Sequence, residues 1–549
     1  MMLFLGSALG LRILFAYHFR IDSDEPQHLH VVWAWTHGFL PYRDIFDNHM
    51  QVFQMLSAPL FHFLGVRPDI LFPMRLAMIP LFALTIWCVW KISASIFSAR
   101  VALWTAVLAT FFPPFFLTSI EFRPDQLWAT VWLLTLLVFV TGQATVPRAC
   151  SVGLLLGLAF SVSMKTILLA VSLGLACIGT LLMLWGAGQP IGQRRLLKYL
   201  GAAILGVTVV PTLVVLFFVS HRAGPQMLYC VINHNILPRL TNLSTILRSA
   251  VRWLALLPIQ LFGIWVIWKL RGTLAVRSRL TLVFLAGAFY YTTLVTFWPL
   301  RERQTYLPLF PVMAIAIVPC ILWFAVFVSK YLARAAVILP VLIVTVEILL
   351  IYIQQSPFTD KTTDKIGMIA NTLKLTDESD YVMDSKGETI YRRRPFYYVI
   401  DKITKKRMYR GLIRDDIPQR LIETRAPLAT AIPRLRKADI VFIKDNYLPI
   451  AFRLGVLGKI VRSGDEPEKQ STTFEVIIPT RYTLVCASGK IAGFLDGTAF
   501  EGPRELAAGT HVFRQMAGTG RVALVWAQAI ERGYSPFATV KADYMTKQD

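Results

Sequence analysis

Two adjacent carboxylates, Asp24 and Glu25, stand directly after an apolar N-terminal segment. They head a stretch, residues 20–65, that also carries Asp44, Asp47 and five histidines: His28, His30, His37, His49 and His62. The surrounding sequence is so apolar that this stretch belongs at a membrane surface. Carboxylates gathered there are costly, which favours a functional role. Pro26 suits a first helical turn, and in a helix Asp24 and His28 share a face at i and i+4. A carboxylate at that depth can take a proton from a hydroxyl, or hold a metal or an ammonium group. The blander reading is a helix cap or an ion pair with Arg20 or Arg43. The histidines match no compact ligand spacing such as HExxH, so they read as satisfied interfacial side chains before they read as a zinc site.

Two further groups could do chemistry. Glu121, Arg123 and Asp125 lie within five residues between two apolar runs. Lys165 interrupts the run GLAFSVSMKTILL, and Arg301 and Arg303 flank Glu302 in FWPLRERQTYLPLFP. An ammonium is a compact cation for a phosphate, and guanidinium forks match phosphate oxygens bidentately. Against this, Lys165 could snorkel to lipid headgroups, and Glu302 could engage an arginine.

The elements that position these residues follow from composition. The chain has 549 residues, 55% hydrophobic and 16% charged, with a mean hydropathy of +0.55. That charge content is far below the soluble average and indicates a polytopic membrane protein. The net charge of +23 is spread over short loops as a topology signal. It suits membrane lipid and argues against nucleic acid. About eleven apolar runs of roughly 17–25 residues can cross a bilayer: near 2–19, 72–92, 101–119, 126–142, 149–164, 166–186, 199–220, 250–269, 279–298, 304–326 and 333–353. Basic residues in alternate loops place the 20–71 loop, and everything after 353, outside the cytoplasm. Arg123, Arg301 and Arg303 defy that rule, which makes them candidates for an anion.

After residue 354 the chain becomes mixed and polar. Short β-like runs at 381–383, 396–400, 439–443 and 474–479 alternate with helical stretches such as 364–375, which predicts an α/β domain over 354–480. Turn glycines in LDGTAFEGPRELAAGTHVF predict a small β-rich terminal unit over 481–549, similar to a PEGA-type β-module. The six cysteines show neither CxxC nor other metal spacing, and no disulfide framework is expected. The fold class expected is therefore a polytopic α-helical membrane protein, with transmembrane residues 1–353 and a C-terminal α/β domain and β-rich tail outside.

The loop DEPQHLHVVWAWTHGFLPYRDIFDNHMQVFQ resembles the polyprenyl-phosphate-sugar glycosyltransferases of the GT-C superfamily, which include protein O-mannosyltransferases and the aminoarabinose transferase of lipid A. The matching features are the Asp24–Glu25 pair, the GxxPYRDxF stretch from Gly38 to Phe46, the acidic second loop, the element ending at Lys165 and the QxYLPLxP element from Gln304 to Pro311. Gln51 departs from the proline usual in bacterial members. The resemblance implies a polyprenyl-phosphate-linked sugar as donor and a lipid, glycan or protein acceptor outside the cytoplasm; an outer domain without a disulfide framework suggests that the membrane is a bacterial inner membrane. It implies Asp24 as the group that activates the acceptor, with Glu25 and Asp125 as further catalytic candidates. It implies Lys165, Arg301, Arg303 and Arg123 around the donor phosphate, and Glu121, Tyr42, Arg43 and His49 as acceptor or loop residues. A divalent metal is left open. The competing readings are a multi-span transporter or flippase, which should show paired broken helices at the midplane, and a non-catalytic assembly subunit.

Overall fold

The computed structural model describes residues 2–236, 272–298, 302–462 and 471–538, and scattered positions between 247 and 267. It divides into two compact units. One comprises residues 1–19, 48–57 and 72–360, the other residues 20–47, 58–71 and 361–549.

The first unit is helical. Among the described residues six helices are long and apolar enough to cross a membrane: Leu71–Ala94, Thr166–Gly186, Gln193–Ser220, Leu274–Phe297, Leu309–Val328 and Ala335–Gln354. Three shorter apolar helices accompany them, Ala99–Phe111, Pro124–Val140 and Val146–Val162, and a fourth, Val52–Leu64, is divided between the two units at residues 57–58. The run expected over 101–119 is broken, because Pro113 has no amide hydrogen and starts a new helix, Pro113–Thr118. The run expected over 250–269 lies largely outside the described residues. The split at Ser163 and Lys165 appears as expected, between Val146–Val162 and Thr166–Gly186.

Two features hold this unit. Gly153, Gly157 and Gly206 let the helices Val146–Val162 and Gln193–Ser220 touch backbone to backbone. A Cβ at any of them would overlap the carbonyl of Ala203, Val207 or Cys150 respectively. Small residues four apart are the standard route to close packing where no hydrophobic gain separates helix from lipid. In the first helix, Met2–His18, Arg12 is 3% exposed. Its Nη2 donates to the Ser119 carbonyl at 2.8 Å, and its guanidinium lies 3.6 Å from the Phe82 ring centre.

The second unit is built on one nine-stranded sheet: β1 (Val382–Met383), β2 (Leu428–Thr430), β3 (Tyr447–Ala451), β4 (Leu454–Arg462), β5 (Ser471–Val476), β6 (Thr480–Leu495), β7 (Thr498–Ala499), β8 (Arg504–Leu506) and β9 (Gly509–Trp526). Its order is β1-β2-β4-β9-β6-β7; β3 pairs with β4, β5 with β9 and β8 with β6. Among the described strands only β1 and β2 pair in parallel. Val382, Leu428, Val456, Leu484 and Leu524 meet in the core under the helices that carry Leu421 and Ile443.

The sheet runs across the boundary expected at residue 480, because β9 pairs with β4 and β5 on one side of it and with β6 on the other. The β-like run at 439–443 lies instead in a helix, Lys437–Asn446. Its apolar cluster is too short to dictate a strand, and Asp439 caps the helix start by accepting from the Arg436 amide at 3.2 Å. Residues 396–400 form no strand.

Candidate active site

Asp24 begins the helix Asp24–Thr36. Local hydrogen bonds shape that start. The Asp22 carboxylate accepts from the Asp24 amide at 3.0 Å, and Glu25 Oε2 accepts from the Asp22 amide at 2.9 Å. This is a reciprocal cap. It turns the fully buried Glu25 back onto the backbone and leaves Asp24 partly exposed. The two acids that look equivalent in sequence thus differ in environment. Asp24 Oδ1 accepts from Lys386 Nζ, 362 positions away in sequence, and from Ser23 Oγ at 3.3 Å.

Lys386 stands on a tightly built loop, residues 384–389. Asp384 Oδ1 accepts from the Gly387 amide at 2.6 Å, and its Oδ2 accepts from the Thr389 amide and hydroxyl at 2.9 and 2.7 Å. Glu388 accepts from the Lys386 amide at 2.6 Å and from Ser385 Oγ at 2.7 Å. Arg394 Nε pairs with Asp384 at 3.0 Å; burial lowers its pKa, against the pull of Asp384 and Glu388. Gly387 adopts a φ of +81°, and a Cβ there would strike the His30 side chain, so the loop needs glycine for two reasons. Lys365 Nζ donates to the Ile21 carbonyl at 2.8 Å. Burial lowers its pKa, while Glu388, Glu25 and Asp22 raise it.

The histidines of this stretch pack rather than converge. His30 Nδ1 bonds to the Ile390 carbonyl at 2.7 Å, and burial pushes its pKa down to about 4, so the ring is neutral at pH 7. His28 is fully buried, and His37 Nε2 lies 3.2 Å from Glu378. His28 and His30 are thus both buried within the second unit, to which their helix belongs. His49 lies beyond it, with its carbonyl accepting from Gln51 Nε2 at 3.2 Å. Among the described residues no three His, Cys, Asp or Glu side chains cluster as a metal site. Tyr42 is buried at a φ of +72°, and its carbonyl accepts from the Tyr397 hydroxyl. Arg43 makes a two-pronged pair with Asp44, both contacts at 2.9 Å, which lowers the Asp44 pKa. Asp47 is buried, 3.4 Å from Gln27 Nε2.

A second cluster belongs to the helical unit. Asp125, in the first turn of the helix Pro124–Val140, accepts from Lys165 Nζ at 2.7 Å and from Arg123 Nε at 3.2 Å. The Lys165 ammonium also lies 5.4 Å from the Trp128 ring centre. Glu121 accepts from Gln304 Nε2 at 2.8 Å, both buried, and Tyr290 donates to the Thr305 carbonyl at 2.6 Å. Three elements far apart in sequence, including the QxYLPLxP segment, therefore meet here. Two cations, Arg123 and Lys165, thus share one carboxylate. Arg303 is exposed on a short helical turn, Arg303–Tyr306. Arg301 lies outside the described residues.

Lys386, Glu388 and Lys365 were not foreseen. DSKGET offers only a weak signal, a lysine among turn formers, and its link to Asp24 is created by the fold.

Residues 54–215 match the family model of the dolichyl-phosphate-mannose-protein mannosyltransferases. The fold is similar to that of ArnT from Cupriavidus metallidurans in the apo state, with a TM-score of 0.55 at 15% identity over 83% of this chain and 97% of that one. The same protein bound to undecaprenyl phosphate aligns with a TM-score of 0.54 at 14% identity, with the same coverage. Identities this low speak for the fold alone. No curated protein sequence matches.

Proposed function

We propose that this chain, a multi-pass membrane glycosyltransferase of the GT-C superfamily, transfers a sugar from a polyprenyl-phosphate donor to an acceptor outside the cytoplasm, with inversion at the anomeric carbon. Asp24 takes the proton of the acceptor hydroxyl as that oxygen bonds to the anomeric carbon. The bond between that carbon and the phosphate oxygen breaks, and the polyprenyl phosphate leaves with the electron pair. Lys165 and Arg123 serve the phosphate, since fixed cations placed where charge develops lower the barrier. Arg303, and Arg301 beside it, are assigned to the same anion. The membrane is a bacterial inner membrane, with the second unit on its outer face.

One observation carries the reading: of the two adjacent acids, Asp24 is left partly exposed and accepts from a lysine, while Glu25 is buried and accepts from a backbone amide. The ArnT complex with undecaprenyl phosphate supports a lipid-phosphate donor. The test is sugar transfer by purified protein in detergent from a panel of polyprenyl-phosphate sugars. Transfer from any one donor is expected, with loss of about 10²–10⁴-fold in Asp24→Asn. Donor lipid carried across a vesicle without sugar transfer would replace this reading with a flippase.

A further inference from the structure

Arg12 takes no part in the chemistry proposed above, yet its setting in the helical unit calls for a function. Its helix, Met2–His18, is apolar and holds no acid. The guanidinium is buried, and among the described residues no carboxylate pairs with it. A charge buried in an apolar segment is costly, and such residues mark functional places.

Arg12 meets the end of another helix instead of an acid. Its Nη2 donates to the Ser119 carbonyl at 2.8 Å, and its Nη1 to Ser119 Oγ at 3.0 Å and to the Phe116 carbonyl at 3.4 Å. Ser119 Oγ donates in turn to the Phe116 carbonyl at 3.1 Å. The guanidinium also lies 3.6 Å from the Phe82 ring centre and 5.3 Å from that of Phe116.

The helix that ends there, Pro113–Thr118, has six residues. Its final carbonyls lack intrahelical partners, as at any helix end. The chain then stays inside the protein, since every residue from Phe115 to Gln126 is buried. A buried connection must satisfy its backbone oxygens from within the protein. Arg12 does so at the start of this loop. Gln304 holds its middle, donating to Glu121 at 2.8 Å. Its end carries Arg123 and Asp125, which meet Lys165.

We propose, resting on the reading of Lys165 and Arg123 as donor-phosphate ligands, that Arg12 is a positioning residue for that site. By fixing Ser119 it sets the path of the 119–125 loop. The loop in turn places Arg123 and the Asp125 carboxylate that orients Lys165. A lysine would not replace it, because a compact ammonium lacks the planar fork that bonds the Ser119 carbonyl and hydroxyl together and packs against Phe82.

The test is titration of undecaprenyl phosphate into the detergent-solubilised full chain, well below the melting temperature of each variant. Arg12→Lys should bind the lipid about tenfold more weakly, the low end of what one charge-assisted hydrogen bond contributes. Made on top of Lys165→Met and Arg123→Gln, the same substitution should change affinity by less than about twofold, because groups that share one network are not additive. Ser119→Ala removes the hydroxyl and keeps the arginine; it should weaken binding by a smaller factor, and it carries the test if Arg12→Lys does not fold. Equal weakening in both backgrounds would overturn the proposal. So would a lower melting temperature with unchanged affinity in Arg12→Lys and Ser119→Ala, which would leave Arg12 a helix cap alone. Full affinity in the Lys165→Met, Arg123→Gln protein would overturn the phosphate reading itself, and the role of Arg12 with it.

Discussion

Replacing Lys386 by methionine tests whether the lysine positions the Asp24 carboxylate. Methionine keeps the apolar stem and deletes the ammonium that donates to Asp24 Oδ1. The loop itself should survive, because Asp384, Glu388 and Arg394 hold its backbone without using Lys386 Nζ. Both members of the pair are mostly shielded: the Lys386 side chain is 10% exposed and that of Asp24 22%. A charge-assisted hydrogen bond in such a setting contributes about 1.5–3 kcal/mol, equivalent to roughly 10–150-fold in rate if all of it serves the orientation of the base. The assay is initial-rate sugar transfer by four proteins: parent, Lys386→Met, Asp24→Asn and the double variant, each checked for fold by thermal unfolding. If Lys386 acts through Asp24, Lys386→Met costs about 10–150-fold in the parent and less than about threefold when Asp24 is already Asn, the non-additivity of groups that work as a unit. An equal loss in both backgrounds refutes the reasoning, since the lysine would then act on something else. A faster Lys386→Met enzyme also refutes it, because the pair would then restrain the base instead of orienting it.

Lys165→Met should weaken polyprenyl-phosphate binding about 10–150-fold, read by titration of the lipid into detergent-solubilised protein; unchanged affinity would confine Lys165 to its pair with Asp125. Asp439 gives a pH signature. Burial first, then the nearby Asp415, raises its carboxyl from 3.8 to about 6. The folded state therefore holds a proton that the unfolded chain releases between about pH 4 and 6. The stability this contributes is full below the unfolded value and lost as pH rises through the folded one. Asp439→Asn should keep the helix cap, remove that slope and raise the melting temperature at pH 7.5 relative to the parent; equal melting shifts at pH 4.5 and 7.5 would contradict it. Gly157→Leu should separate the helices Val146–Val162 and Gln193–Ser220 at a cost of about 1–3 kcal/mol or more, seen as a lower melting temperature, whereas Gly174→Leu should be tolerated because open space surrounds it.

The sequence by itself determined what depends on local composition. Apolar length and sparse charge specify membrane helices whatever they pack against, so the break at Ser163 and the change of character after residue 354 could be read directly. The chemical types gathered around Asp24, and the motifs that resemble the GT-C enzymes, were likewise legible, because motif order is a property of the chain. Tertiary structure decided what depends on partners distant in sequence. Asp24 and Glu25 are neighbours of one chemistry, yet a backbone amide takes Glu25 and an ammonium 362 positions away meets Asp24. Arg123 and Lys165 read as two separate cations until Asp125 was seen to accept from both. The run at 439–443 reads as a strand by its apolar residues and folds as a helix, capped at its start by Asp439 and with Ile443 buried in the core of the second unit. The physical reason is the same in each case. A side chain's charge and polarity are local, but its environment is set by whichever segment the fold brings against it, and no spacing along the chain records that meeting.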